Sequence, residues 1–348
     1  MPPYESLSSI GFVGLLSIAF SIQTFSLVVA ALVTPVILIV ARIREDRQVE
    51  RGSVGSAPAV EAWYRAERVT LSVAAGAVIV AFVFVYHVPG YLFDLVNIVE
   101  WWKYATPVFA AAVGVAAAFV VIASKRSGRT EQPVLAPTRR TWASFSGKMG
   151  LIGLSVSAVA LVGTTIAAGS ASSADAAGRF IYLDLIAPNA SMPTVRPWFY
   201  GWDFGVPVLI CTVALVAVTW LALSANAYRP YRRADTVNVE RLARTRTATA
   251  IARIAAGGML LALGGAWRFI AEAGKISRVV IEDGAQEQTF DTTWRYAEFA
   301  LAAGWLAPAV EITALSVLLL AVSDLRIARS RHHATPNADP VVETAAAR

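Results

Sequence analysis

Seven apolar stretches constrain this chain more than any other feature, most of them near or above the roughly 20 residues that carry a helix across hydrocarbon. They run at Ile10–Ala41, Val69–Val88, Tyr104–Ala123, Gly150–Ala168, Phe204–Ser224, Ala250–Ile270 and Ala297–Val322. Hydrocarbon offers no hydrogen-bond partner to a backbone amide, so each span must be a helix or part of a closed barrel. Barrel strands are short and alternate apolar with polar residues. These stretches are long and apolar all round, so the sequence predicts an all-α polytopic membrane protein, a seven-helix transmembrane bundle. Composition agrees: 16% of residues are charged, where a soluble domain carries about a quarter. The first stretch exceeds the hydrocarbon thickness and must tilt, kink at Pro35 or run on beyond the membrane. It is too long for a cleaved signal peptide, and no Lys or Arg precedes it.

Orientation follows from the basic residues. Of the 30 Lys and Arg, 23 fall on one side, in Arg42–Arg68, Lys125–Lys148, Arg229–Arg253 and the tail from Arg326, and 7 on the other. The richer side is expected in the cytoplasm, which places the N-terminus outside and the C-terminus inside. The net charge of +6 is then mainly topological, and nucleic acid is not an expected partner. The expected partners are the lipid bilayer and other membrane or cytoplasmic subunits. The expected location is the bacterial cytoplasmic membrane, since heavy use of Arg, Ala and Val points to a high-GC bacterial genome.

Residues 1–326 read as a single transmembrane bundle, with long outer loops at 169–203 and 271–296. Residues 327–348 read as a cytoplasmic tail, disordered from about residue 335. After the first helix the chain reads as three helical hairpins. Each returns from the outer side through an aromatic cluster near a proline, for example Trp101-Trp102-Lys103-Tyr104 with Pro107. A small outer β element is expected. Arg179–Ile186 has strand character, and Arg278–Phe290 has the pattern of a β-hairpin turning at Asp283-Gly284. The two are expected to join in one sheet over the outer mouth. Val60–Arg68 is amphipathic and expected on the membrane surface. Small-residue stripes at Ala110, Gly114 and Ala118, at Gly257 and Gly264, and at Gly258 and Gly265 predict close helix packing within the bundle.

An ionisable group at mid-membrane is costly and therefore a functional candidate. Glu311 is the clear case. It shares a helical stripe with Gly304, Pro308 and Leu315, and the proline frees a backbone carbonyl beside it. Such a break is one way to build a proton or cation site, and Gln23 in the first span is the expected partner. Lys103, Asp203, Arg268, Arg295 and Glu298 form a second set on the outer rim, able to bind a polar headgroup or an anionic substrate. Within it Asp203 is expected to N-cap its helix, and Arg295 to pair with Glu298.

Enzyme and cofactor signatures do not accumulate. Cys211 is the one cysteine, which excludes an internal disulfide and Cys-pair chemistry. The three histidines, His87, His332 and His333, offer no intramembrane pair for haem. There is no H-E-x-x-H, no G-x-S-x-G and no P-loop, and no cofactor or metal is expected. Three function classes follow. The preferred one is a non-enzymatic membrane component, a transporter or membrane subunit of a transport or export assembly, coupled to ions or protons through Glu311. The alternatives are an enzyme acting on a lipid or isoprenoid at the outer interface through Asp203, Glu298 or Glu311, and a sensor or structural partner.

Overall fold

A computed structural model describes residues 23–49, 58–92, 99–125, 141–185, 195–232, 236–276, 278–283, 286–291, 294 and 296–330. In chain order the elements are α1 (Gln23–Val49), α2 (Pro58–Leu92), α3 (Thr106–Ser124), α4 (Lys148–Ala171), β1 (Ser173–Ala174), β2 (Phe180–Tyr182), α5 (Trp202–Tyr228), α6 (Val237–Gly274), β3 (Arg278–Asp283), β4 (Gln286–Asp291) and α7 (Ala297–Ser330). Six of them, α2 to α7, are long and apolar enough to cross a membrane. In α1 the described apolar part is shorter, Phe25–Val40. The expected start of the first span at Ile10 and the tail beyond Ser330 lie outside the described residues. The architecture is that of a multi-pass helical membrane protein.

Each span turns one face outward and one into the bundle, and several inward positions are small. On α5, Val206, Ile210 and Val213 are exposed, while Gly205, Val208 and Thr212 are buried. On α4, Ile152, Val156 and Val159 point outward, while Ser157, Thr165 and Gly169 are inside. Such a surface is costly in water and suits hydrocarbon. Small residues inside let the backbones approach, which is how helices gain contact where lipid is as apolar as leucine.

The centre of the bundle is α6, with 72% of its most apolar stretch buried. Antiparallel α7 lies along it, and small residues mark each crossing. A Cβ on Gly257 would stand 2.7 Å from Leu318, one on Gly264 2.6 Å from Glu311, and one on Gly274 2.8 Å from Ala300. The neighbouring stripe on α6 serves different helices: Gly258 abuts Ala111 and the Pro107 carbonyl on α3, and Gly265 abuts Tyr86 on α2 and Tyr104. Gly114 on α3 meets Ala74 on α2. The small-residue stripes thus pack the bundle, as expected.

Three expectations need correction. Val60–Arg68 does not form a separate surface helix; it is the start of α2, which is continuous from Pro58 to Leu92. Its inward stripe, Val60, Tyr64 and Glu67, is buried against protein, so that face is covered by the bundle. The hairpin is present, but Asp283 pairs with Gln286. Asp283 therefore lies within the pairing and not in the turn expected at Asp283-Gly284, and residues 284–285 lie outside the described residues. Finally, the β-structure expected in one sheet is two separate antiparallel pairs, β1 with β2 and β3 with β4. Of the described part of Arg179–Ile186, Phe180–Tyr182 is strand, extended by single bridges Tyr182 to Trp198 and Leu185 to Val195.

Candidate functional site

Glu311 is fully buried and faces the bundle. It lies fourteen residues into α7, about 21 Å along a helix rising 1.5 Å per residue. Space for it exists because α6 presents Gly264 at that level, with no side chain to displace the Glu311 methylenes. One turn further along α6, Arg268 reaches back to it. Arg268 Nε donates to Oε1 at 2.6 Å and Nη2 donates to Oε2 at 2.7 Å. This is the fork-to-fork geometry in which guanidinium and carboxylate match most closely. From α1, Ser26 Oγ donates to Oε2 at 2.8 Å and accepts from Arg268 Nη2 at 3.2 Å. One carboxylate therefore receives three hydrogen bonds and joins α1, α6 and α7.

Above the pair lies an aromatic cluster. Tyr104 stacks on Phe269 with ring centres 5.7 Å apart and meets Tyr86, Tyr200 and Phe204 edge-on. Tyr86 packs against Gly265, one residue beyond the Gly264 that faces Glu311. Its buried hydroxyl has no hydrogen-bond partner among the described residues.

The structure regroups the expected site residues. Arg268 leaves the outer-rim set and becomes the partner of Glu311. Gln23 is one turn before Ser26 on α1, and its side chain lies outside the described residues. Lys103 pairs with Glu100 at 3.3 Å and sits over the Tyr86 ring. Asp203 is in the first turn of α5, but the N-cap is Gly201, with no side-chain cap bond. There the Asp203 charge favours the helix dipole instead. Glu298 is exposed in the first turn of α7, and Arg295 lies outside the described residues.

A second buried charge cluster, at the opposite end of the bundle, was not among the expected sites. Glu67 on α2 is fully buried and accepts from both Arg229 Nη1 at 2.7 Å and Arg229 Nη2 at 3.1 Å. Lys125 Nζ lies 3.6 Å from Glu67 and donates to the Trp63 carbonyl. Burial pushes the Lys125 ammonium below its usual range, with the Glu67 charge opposing. Asn226 bridges, accepting from Arg229 and donating to the Arg244 carbonyl. Arg244, also fully buried, donates to the carbonyls of Arg229 and Pro230 and pairs with Glu240 at 3.4 Å. The residues come from α2, α5 and α6 and from the caps Lys125 and Arg229, so these helix ends meet at one end of the bundle. One signal was present in the sequence: Glu67 interrupts the stripe Val60, Tyr64, Leu71 at helical spacing.

Among the described residues, no group of three or more His, Cys, Asp or Glu is placed to hold a metal ion. Compared with known proteins, the chain matches no family model, and no curated protein or solved structure aligns with it significantly.

Proposed function

We propose that the chain is a non-enzymatic component of the bacterial cytoplasmic membrane, a transporter or the membrane subunit of a transport or export assembly. In this reading Glu311 is its ion- or proton-responsive element. Its seven spans place the N-terminus outside and the C-terminus in the cytoplasm, on the strength of the Lys and Arg asymmetry. The observation that carries the reading is the bidentate Arg268–Glu311 pair within the spans.

Stability alone accounts poorly for such a pair. Replacing a buried ion pair by well-packed apolar residues is often neutral or stabilising by about 1–4 kcal/mol. A group that exchanges its partner has a reason to be there. When a proton or cation neutralises Glu311, the guanidinium loses its counter-charge and the tie between α6, α7 and α1 is released. Pro308 lies one turn before Glu311 and lacks the amide that would bond the Gly304 carbonyl, so α7 can bend beside the pair. The Tyr86 hydroxyl supplies a further uncommitted oxygen nearby.

The enzyme alternative has less support. The cavity of about 650 Å³ at the outer end of the bundle is lined by none of Asp203, Glu298 and Glu311. An interfacial acid or base would need to face such a space.

The test is carboxyl modification in native membranes. Dicyclohexylcarbodiimide attacks a protonated carboxyl in an apolar setting. Glu311 is expected to be the labelled residue by peptide mass spectrometry, with labelling slowed by alkali or by a coupling cation. Protein that stays unlabelled at Glu311 from acid to alkaline pH, with and without an imposed ion gradient, would overturn the reading.

A further inference from the structure

Both α4 and α7 pack near α6, yet they hardly touch each other. The gap between them is a cleft of about 650 Å³ toward the outer end of the bundle. Its walls are built from alanine: Ala167, Ala168 and Ala171 on α4, Ala300 and Ala303 on α7. Trp267 and Ile270 of α6 form the floor. Phe199, Trp294 and Tyr296 close the outer end, with Trp294 edge-on to both Phe199 and Tyr296. We propose that this cleft holds the hydrocarbon chain of one membrane lipid, which enters sideways between α4 and α7.

The chemistry of the lining selects the occupant. Its polar side chains are largely committed to one another or to backbone. Trp267 Nε1 donates to Thr164 Oγ1 at 3.1 Å, and Ser170 Oγ donates to the Ile166 carbonyl at 2.8 Å. What remains is aliphatic and aromatic surface, which suits a chain and gives a polar solute little to bond. Phe299, which lines the cleft, is exposed, as is Ile166 on α4, and the outward faces of both spans are mainly apolar. The medium at the mouth is therefore bilayer hydrocarbon. The aromatic end matches the interface, where Trp and Tyr collect and where a chain meets its headgroup. The volume falls within the roughly 300–1,000 Å³ of small-molecule sites.

The cleft is separate from the Arg268–Glu311 pair, and its occupancy does not depend on what that pair does. The test is photolabelling of the full-length protein in vesicles with two probes, a phospholipid carrying a diazirine on its acyl chain and a polyisoprenyl phosphate carrying one on its isoprenyl chain. At least one probe is expected to concentrate its adducts on the cleft-lining peptides of α4 and α7, and the one that does so identifies the chain class. Ala303→Trp fills the cleft from one wall and Ala167→Phe from the other. Either is expected to reduce cleft labelling to the level of the lipid-facing exterior, while Val213→Trp on the exposed face of α5 leaves it unchanged. Adducts spread evenly over the outer surface with both probes would overturn the proposal. So would cleft labelling that persists in a folded filled variant, or adducts displaced by a bound protein segment.

Discussion

Glu311 packs its methylene chain directly against Gly264, whose missing Cβ would stand 2.6 Å from the Glu311 Cγ. The ion pair therefore depends on a residue that carries no charge. Gly264→Val is expected to push α7 away from α6, lengthen the Arg268–Glu311 bonds and destabilise the bundle by about 1–3 kcal/mol, the usual cost of overpacking. Gly163→Ala on α4 is the control, since a Cβ there meets nothing within 4 Å. Unfolding of the purified protein by a denaturing detergent should separate the two variants. Equal midpoints would show that the close approach does not exist.

The Glu67 cluster makes a second prediction. Glu67 is fully buried and faces Arg229 through two hydrogen bonds. Glu67→Ala strands that guanidinium, and loss of one partner of a buried pair costs about 3–5 kcal/mol. The exposed pair Lys275–Glu272 at the other end of α6 should contribute about 0–1 kcal/mol, as exposed pairs do. Thermal unfolding of Glu67→Ala and Glu272→Ala should therefore differ widely. A Glu67→Ala protein as stable as Glu272→Ala would contradict the burial of that cluster.

The contrast between the two clusters shows what a sequence of this kind reveals. Glu311 stands out because it is a carboxylate deep in an apolar run, and its stripe with Gly304 and Pro308 follows from helical spacing alone. Its partner was hidden. Arg268 lies near the end of its apolar run, where an arginine ordinarily turns its head out to the interface. Only the antiparallel register of α6 on α7, which sets Gly264 opposite Glu311, turns that head inward. Glu67 was hidden for the complementary reason. It sits among charged residues, and spacing did not show that α2 carries its first turns up against α5 and α6. The β3–β4 hairpin was legible from its Asp-Gly step and branched residues, but its register depends on which residues pair, and Asp283 lies within the pairing.

Acid should loosen the segment between α4 and α5 locally. Asp175 accepts from the backbone amides of Ala177 and Arg179 and from the Arg179 side chain. These bonds, the Arg179 amide foremost, hold its carboxyl below the ordinary range. A carboxyl with a depressed value in the folded loop stabilises that loop above its unfolded value, about 3.9 for Asp. The contribution is lost as pH falls through the folded value. Exchange of the Ala177 and Arg179 amides, corrected for intrinsic rates, should accelerate over that acid window. In Asp175→Asn the acceleration should be absent; if it persists, another group controls the turn.

The central pair can be tested through its own charge balance. Glu311→Gln keeps the shape of the side chain and one acceptor oxygen, but leaves the Arg268 guanidinium in the bundle without a counter-charge. Arg268→Gln leaves the Glu311 carboxylate with Ser26 as its one remaining partner among the described side chains. Each single change is expected to cost about 3 kcal/mol, the lower part of the range for breaking a buried pair, because the Arg268 side chain keeps 14% exposure. The double variant Glu311→Gln with Arg268→Gln removes both charges, and two amides of this length can bond each other. It should therefore be more stable than either single variant, with a coupling well above the roughly 0.5 kcal/mol scatter of independent sites. Detergent-induced unfolding of the four proteins measures that coupling directly. If the two losses simply add, Arg268 and Glu311 do not act as a pair, and the bidentate contact that organises α1, α6 and α7 is not the one present in the membrane.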